Sequence, residues 1–161
     1  MTAEQDKAPA AQVFRVRTPL LKKGRTHRIL ASSKGSDSAL NVAIKCYAGG
    51  GENEFHTHAV EDHTFIVLQG SAIFYEPDKP SRRIGRNEGI LLPAGAYYKF
   101  EAVSNEPLVL LRVGNVWQPV GNEAVPASAS GRLAKDGSVL ASSAKANKGE
   151  SPVVQEGAYY E

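Results

Sequence analysis

The stretch GENEFHTHAVEDHTFIVLQG, from Gly51 to Gly70, decides how this chain is read. Its second half, HTFIVLQ, is a short run rich in β-branched and aromatic residues closed by glycine, the composition of a buried strand. Three of the chain's four histidines fall within it, at His56, His58 and His63. On an extended strand His56 and His58 leave the same face, so both imidazoles can reach one ion about 2 Å away. A turn through Ala59 to Asp62 would bring His63 onto the next antiparallel strand beside them, with Phe65 and Val67 on its face. His-x-His alone fits a polar surface strip at a turn equally well. The third histidine and the apolar strand behind it tip the reading toward metal, because a histidine opening a buried strand needs a polar partner.

Outward from this stretch the same design recurs in QVFRVRTP, HRILAS, ALNVAIKCYA, HTFIVLQGSAIFYE, RRIGRNEGILLPAG, YYKFEAVS and PLVLLRVGNVW. Glycine, proline, asparagine and aspartate punctuate the runs, at Gly49 to Gly51, Pro77-Asp78, Asn87 to Gly89, Pro93 and Asn105 to Pro107, and such clusters make tight turns. No segment repeats apolar residues at helical spacing over three turns. Many short strands with tight turns predict an all-β sandwich or barrel. A polar leader is expected over residues 1–10 and the barrel over 11–118. From 119 to 161 the composition shifts to Ala, Ser, Gly and Lys, which cannot build a core. There the closing Val153, Val154, Tyr159 and Tyr160 read either as a docking strand or as the end of a tail.

At 161 residues, with 42% hydrophobic and 22% charged residues, the chain suits one globular domain. A net charge of +2 argues for no nucleic-acid partner. The local cluster LKKGRTHR, ending at Arg28, is expected to be a solvated N-terminal arm. The start, MTAEQDKAPA, has no apolar core of a signal segment, and no run approaches the roughly 18–20 apolar residues of a membrane span. A cytoplasmic protein with no membrane partner is the expectation, and the single Cys46 agrees with a reducing compartment. Cys46 and His27 are read as core and surface residues, not as chemistry.

With these residues in view, the chain resembles the cupin superfamily, whose first motif is Gly, five residues, His-x-His, three or four residues, Glu, six residues, Gly. Gly50, His56, His58 and Gly70 match, and the position of the family's Glu falls on His63. Placing Asp62 there would keep a carboxylate, but it breaks the spacing to Gly70 and points the side chain to the other face. The second motif looks like NEGILLPAGAYYKFEA, where Pro93 and Gly95 match. Asn87 replaces its first Gly, Tyr98 its metal-binding His, and Ala102 its final Asn. The resemblance implies a double-stranded β-helix, or jelly-roll, barrel in a single domain, and a homodimer pairing through an N-terminal strand such as QVFRVR.

A site of His56, His58 and His63 would leave a divalent ion with an open position and its full charge, favouring small anionic or oxygen-rich ligands. Imidazole suits Fe(II) and Zn best among the candidates, and no organic cofactor is expected. Tyr98 is the candidate catalytic residue, as a phenolate ligand or as an acid or base, since a nearby cation lowers a phenol's pKa from about 10. A ring merely packed on the barrel floor is the alternative for it. Glu54, Glu61 and Asp62 are candidates to orient the imidazoles. Arg112 would pair with a substrate carboxylate if it faces the barrel. The expected activity is that of a metal-dependent enzyme, either an Fe(II) dioxygenase or a non-redox lyase or isomerase using Tyr98. A non-catalytic cupin that binds a small ligand or serves a structural role is the alternative.

Overall fold

A computed structural model describes residues 10–34, 38–49, 55–58, 60–117, 132–133, 139–140 and 151–161. Alternating burial of successive side chains marks its central strand. In β4 (Glu61–Gln69), Glu61, His63, Phe65 and Val67 are buried while Asp62, Thr64 and Ile66 between them are only partly so, the period-2 pattern of a strand with one face on a core. The remaining strands are β1 (Thr18–Lys34), β2 (Ser38–Ala48), β3 (Thr57–His58), β5 (Ser71–Tyr75), β6 (Arg82–Gly85), β7 (Gly89–Leu92), β8 (Lys99–Ala102), β9 (Leu108–Trp117), β10 (Arg132–Leu133), β11 (Val139–Leu140) and β12 (Val153–Tyr160).

They form a six-stranded antiparallel sheet in the order β12-β1-β2-β9-β4-β7, and two three-stranded sheets, β6-β5-β8 and β11-β10-β3. The six-stranded sheet and β6-β5-β8 enclose the main core, in which Tyr47, Phe65, Val67, Leu108 and Leu110 meet Phe74, Ile84 and Phe100. Edge and tilted ring contacts, Tyr47 to Phe100 at 5.2 Å and Phe74 to Phe100 at 5.1 Å, fill it. The fold is an all-β barrel in a single domain.

The segment HTFIVLQGSAIFYE is divided at Gly70, where the chain leaves the large sheet for the small one. Gly70 has φ +76°, and a Cβ there would stand 2.7 Å from Ser104 Oγ and 3.1 Å from the Pro107 carbonyl, so the sheet change needs glycine.

Two expectations about the N-terminal region are corrected. LKKGRTHR is not a free arm. It lies within β1, which pairs with β12 from Thr18 to Lys23 and with β2 from Gly24 to Lys34. Its long side chains still reach water, and Lys22, Lys23, His27 and Arg28 are exposed. QVFRVR, by contrast, alternates like a strand but joins no ladder. The Gln12 side chain stands in for one, its Nε2 donating to the Ser32 carbonyl at 2.6 Å and its Oε1 accepting from the Ser32 N–H at 3.1 Å.

On the outer face of the large sheet a second cluster joins Leu21, Ile44, Cys46 and Val109, covered by Val16, Leu30 and Tyr160. Cys46 is wholly buried there. Most of residues 119–161 lies outside the described residues. Of the described part, β10 pairs with β3, and β12 pairs with β1, Gln155 Nε2 donating to the Leu21 carbonyl at 2.9 Å.

Candidate metal centre

The histidine segment is held by the turn of the second motif. His56 and Tyr98 exchange backbone hydrogen bonds of 3.1 and 3.0 Å, and the Gly95 N–H donates to the His58 carbonyl at 2.8 Å. Gly95 has φ +84°, a left-handed backbone that glycine adopts at least cost. These bonds bring Tyr98 and β3 together. β4 supplies Glu61 and His63 from one side, and β9 supplies Arg112 from across the ladder, where Phe65 pairs with Arg112 and His63 with Gly114.

The donor atoms of His58, Glu61 and His63 all lie within 4.8 Å of one another. Glu61 Oε2 is 2.9 Å from His63 Nε2 and 3.5 Å from His58 Nδ1. His56 is not part of this group; its ring lies 5.3 Å from that of His58 and 4.5 Å from that of Tyr98. Asp62 is not in it either. Its Oδ1 accepts from the Ala94 N–H at 2.8 Å, while His63 is buried on the opposite face of β4, so the register that would use Asp62 is not the one adopted. Glu54 lies outside the described residues.

Arg112 is buried and forms the remaining wall. Its Nη1 donates to Asn41 Oδ1 at 2.6 Å, and its Nη2 contacts both Glu61 Oε1 and His63 Nε2. A guanidinium can only donate. His63 Nε2 therefore carries a lone pair, and the proton sits on Nδ1, which donates to the Tyr98 hydroxyl oxygen at 3.3 Å. Burial pushes the His63 pKa down, aided by the charges of Arg112 and Lys45 and opposed by Glu61. Burial also pushes the Glu61 carboxyl up. The close approach of His63 and the charge of Arg112 outweigh that, leaving it near 2. A neutral imidazole beside an ionised carboxylate is the protonation state that metal ligands require.

The donor set fits a divalent ion. Two nitrogens and a carboxylate oxygen suit zinc or ferrous iron. Donors about 2.1 Å from a common ion stand roughly 3 to 3.5 Å apart, the range in which Glu61 Oε2 lies from the two histidines. Gly114 makes the room, since a Cβ there would overlap Glu61 Oε1 and come within 3.0 Å of both Arg112 Nη atoms.

Glu61, expected only to orient imidazoles, shares the parity of His63 on β4, which signals a place among the donors. No local signal in the sequence gives the facing of Arg112 or the need for Gly114.

Residues 43–114 match the cupin domain family. The chain therefore contains a cupin domain over those residues. Among solved structures, KdgF from Halomonas sp. is 17% identical, with TM-score 0.51 over 60% of this chain and 82% of that one. A conserved protein of unknown function from Streptococcus pyogenes is 24% identical, with TM-score 0.47 over 60% and 76%. The Cnp3 cupin domain of Schizosaccharomyces pombe is 17% identical, with TM-score 0.49 over 63% and 69%. The KdgF likeness shows the fold alone. No curated protein matches the sequence.

Proposed function

We propose that this chain is a divalent-metal-dependent cupin enzyme acting in the cytoplasm, as a homodimer, on a small anionic or oxygen-rich organic molecule. The observation that carries this reading is the convergence of His58, Glu61 and His63 donor atoms within 4.8 Å. Fe(II) or Zn is the ion best suited to them. When bound, the ion supplies Lewis-acid chemistry and, if iron, redox chemistry.

The chain's own residues do the rest. Glu61 cancels only part of a divalent charge, so with Arg112 beside it the site favours an anionic substrate. Tyr98, 3% exposed and in contact with His63 Nδ1, is placed to hold or move a proton at its hydroxyl oxygen. Phe65 and the Tyr98 ring, 6.1 Å apart, exclude water from the inner side of the site. The oxygenase and the lyase or isomerase readings separate on oxygen: turnover under strict anaerobiosis eliminates the first.

The test is metal analysis of the purified protein and of His63→Ala. Stoichiometric Fe or Zn in the first, lost in the second, supports the reading, and its absence from both overturns it. Contact of Arg112 with two of the three donors favours a second reading, a non-catalytic cupin that binds a small ligand without metal. Protein that never takes up metal yet binds a small anion would establish it.

A further inference from the structure

His63 Nε2 and Glu61 Oε2 stand 2.9 Å apart among buried groups. Both groups contact the guanidinium of Arg112, which can only donate, so both present lone pairs. Two buried acceptors that close repel unless a cation serves them. Arg112 serves them now. One Nη2 hydrogen points to Glu61 Oε1 and the other to His63 Nε2, while Nη1 is anchored on Asn41. The placement is built: Arg112 is 8% exposed, and the missing Cβ of Gly114 leaves the space in which the ion pair lies. A divalent ion held by His58, Glu61 and His63 needs the same Nε2 lone pair. One lone pair cannot accept from a guanidinium and ligate a metal together.

We propose that Arg112 is a resident cation of the site, competing with the divalent ion for Glu61 and His63, so that the centre is either closed by the guanidinium or loaded with metal. This rests on the metal reading above. It goes further in giving Arg112 a role opposite to that of a residue supporting the ligands. Metal affinity is then set by how firmly Arg112 is held, and Asn41 is the positioning residue that holds it.

The experiment titrates metal-stripped wild type, Arg112→Met and Asn41→Ala with Zn(II) against a chromophoric chelator, each variant first checked for cooperative thermal unfolding. Arg112→Met is expected to bind Zn(II) at least about tenfold more tightly than wild type, the scale of one charge-assisted hydrogen bond released. Asn41→Ala is expected to shift the same way by less. In wild type, Zn(II) is expected to move the side-chain nitrogen resonances of Arg112, a readout that requires no variant to fold. Equal or weaker Zn(II) binding by folded Arg112→Met, or Arg112 resonances unmoved at saturating Zn(II), overturns the competition. Should wild type still bind Zn(II) and His63→Ala not, the proposed function stands without it. Zn(II) binding by Arg112→Met but not by wild type supports the resident cation and sinks a metal-dependent wild type. Binding by neither sinks both.

Discussion

Three side chains test the site one at a time. His63→Ala is expected to lower metal affinity by about 100-fold or more, whereas Asp62→Ala keeps the metal. Loss of the exposed bond in which Asp62 accepts from the Ala94 N–H should cost about 0.5–1.5 kcal/mol of stability, the scale of an ordinary intramolecular hydrogen bond. Metal analysis beside denaturant unfolding separates the two variants. Gly114→Ala is expected to cost about 1–3 kcal/mol, as overpacking does, and to impair Zn(II) binding because Glu61 must leave its place. Unaltered Zn(II) titration would show that the cluster tolerates a wider neighbour. Tyr98→Phe removes only a hydroxyl 3.3 Å from His63 Nδ1. It should leave metal content unchanged and lower turnover on a substrate found by screening by about 10²–10⁴-fold, the scale of general acid–base catalysis.

At the scale of elements, β12 is the edge strand of the large sheet. It carries no site residue, but Tyr160 covers the outer cluster and Gln155 bonds to the Leu21 carbonyl. Removing residues 151–161 would bare the β1 backbone from Thr18 to Lys23, and bare edges invite association. The truncated chain is expected to melt several degrees lower and to self-associate with concentration, as sedimentation would show, while still binding Zn(II). β4 was readable because HTFIVLQ is a short β-branched and aromatic run closed by glycine. β1 was not, because LKKGRTHR is held by two distant partners in turn, β12 up to Lys23 and β2 from Gly24 on, and nothing in its residues announces either.

For the whole molecule, the buried pair sets how stability depends on pH. The His63 pKa lies below its ordinary 6.5. The unfolded chain therefore takes up that proton first on acidification, and stability declines as pH falls from about 6.5. Glu61 has a folded pKa near 2 against an ordinary 4.5. Its contribution is complete above about 4.5 and is lost as pH falls toward 2. Metal-free protein is expected to lose stability in those two stages, Glu61→Gln lacking the lower one, as urea midpoints across pH would show. A single flat profile from pH 7 to pH 3 would contradict the buried, neutral state of His63. Bound Zn(II) should raise the melting temperature at pH 7, with about 2.7 kcal/mol gained at 100 times Kd, and this gain should vanish on acidification as protons compete for the ligands.

Strand spacing, turn residues and the parity of β4 are local properties, and they determined the all-β class and the inward facing of His63 without reference to distant residues, while the cupin barrel was implied by the resemblance of two motifs. Parity also told Asp62 from His63, since alternate residues of a strand face opposite ways. It could not place His56, because the strand there spans only Thr57–His58 and His56 sits at an isolated bridge to Tyr98. Which residues join the histidines was decided by tertiary structure. Arg112 reaches Glu61 across a sequence separation of 51 residues, through a β4–β9 register that shifts between Val67 and Gln69. The carboxylate and the guanidinium at the centre follow from that pairing, which belongs to no single segment of the chain.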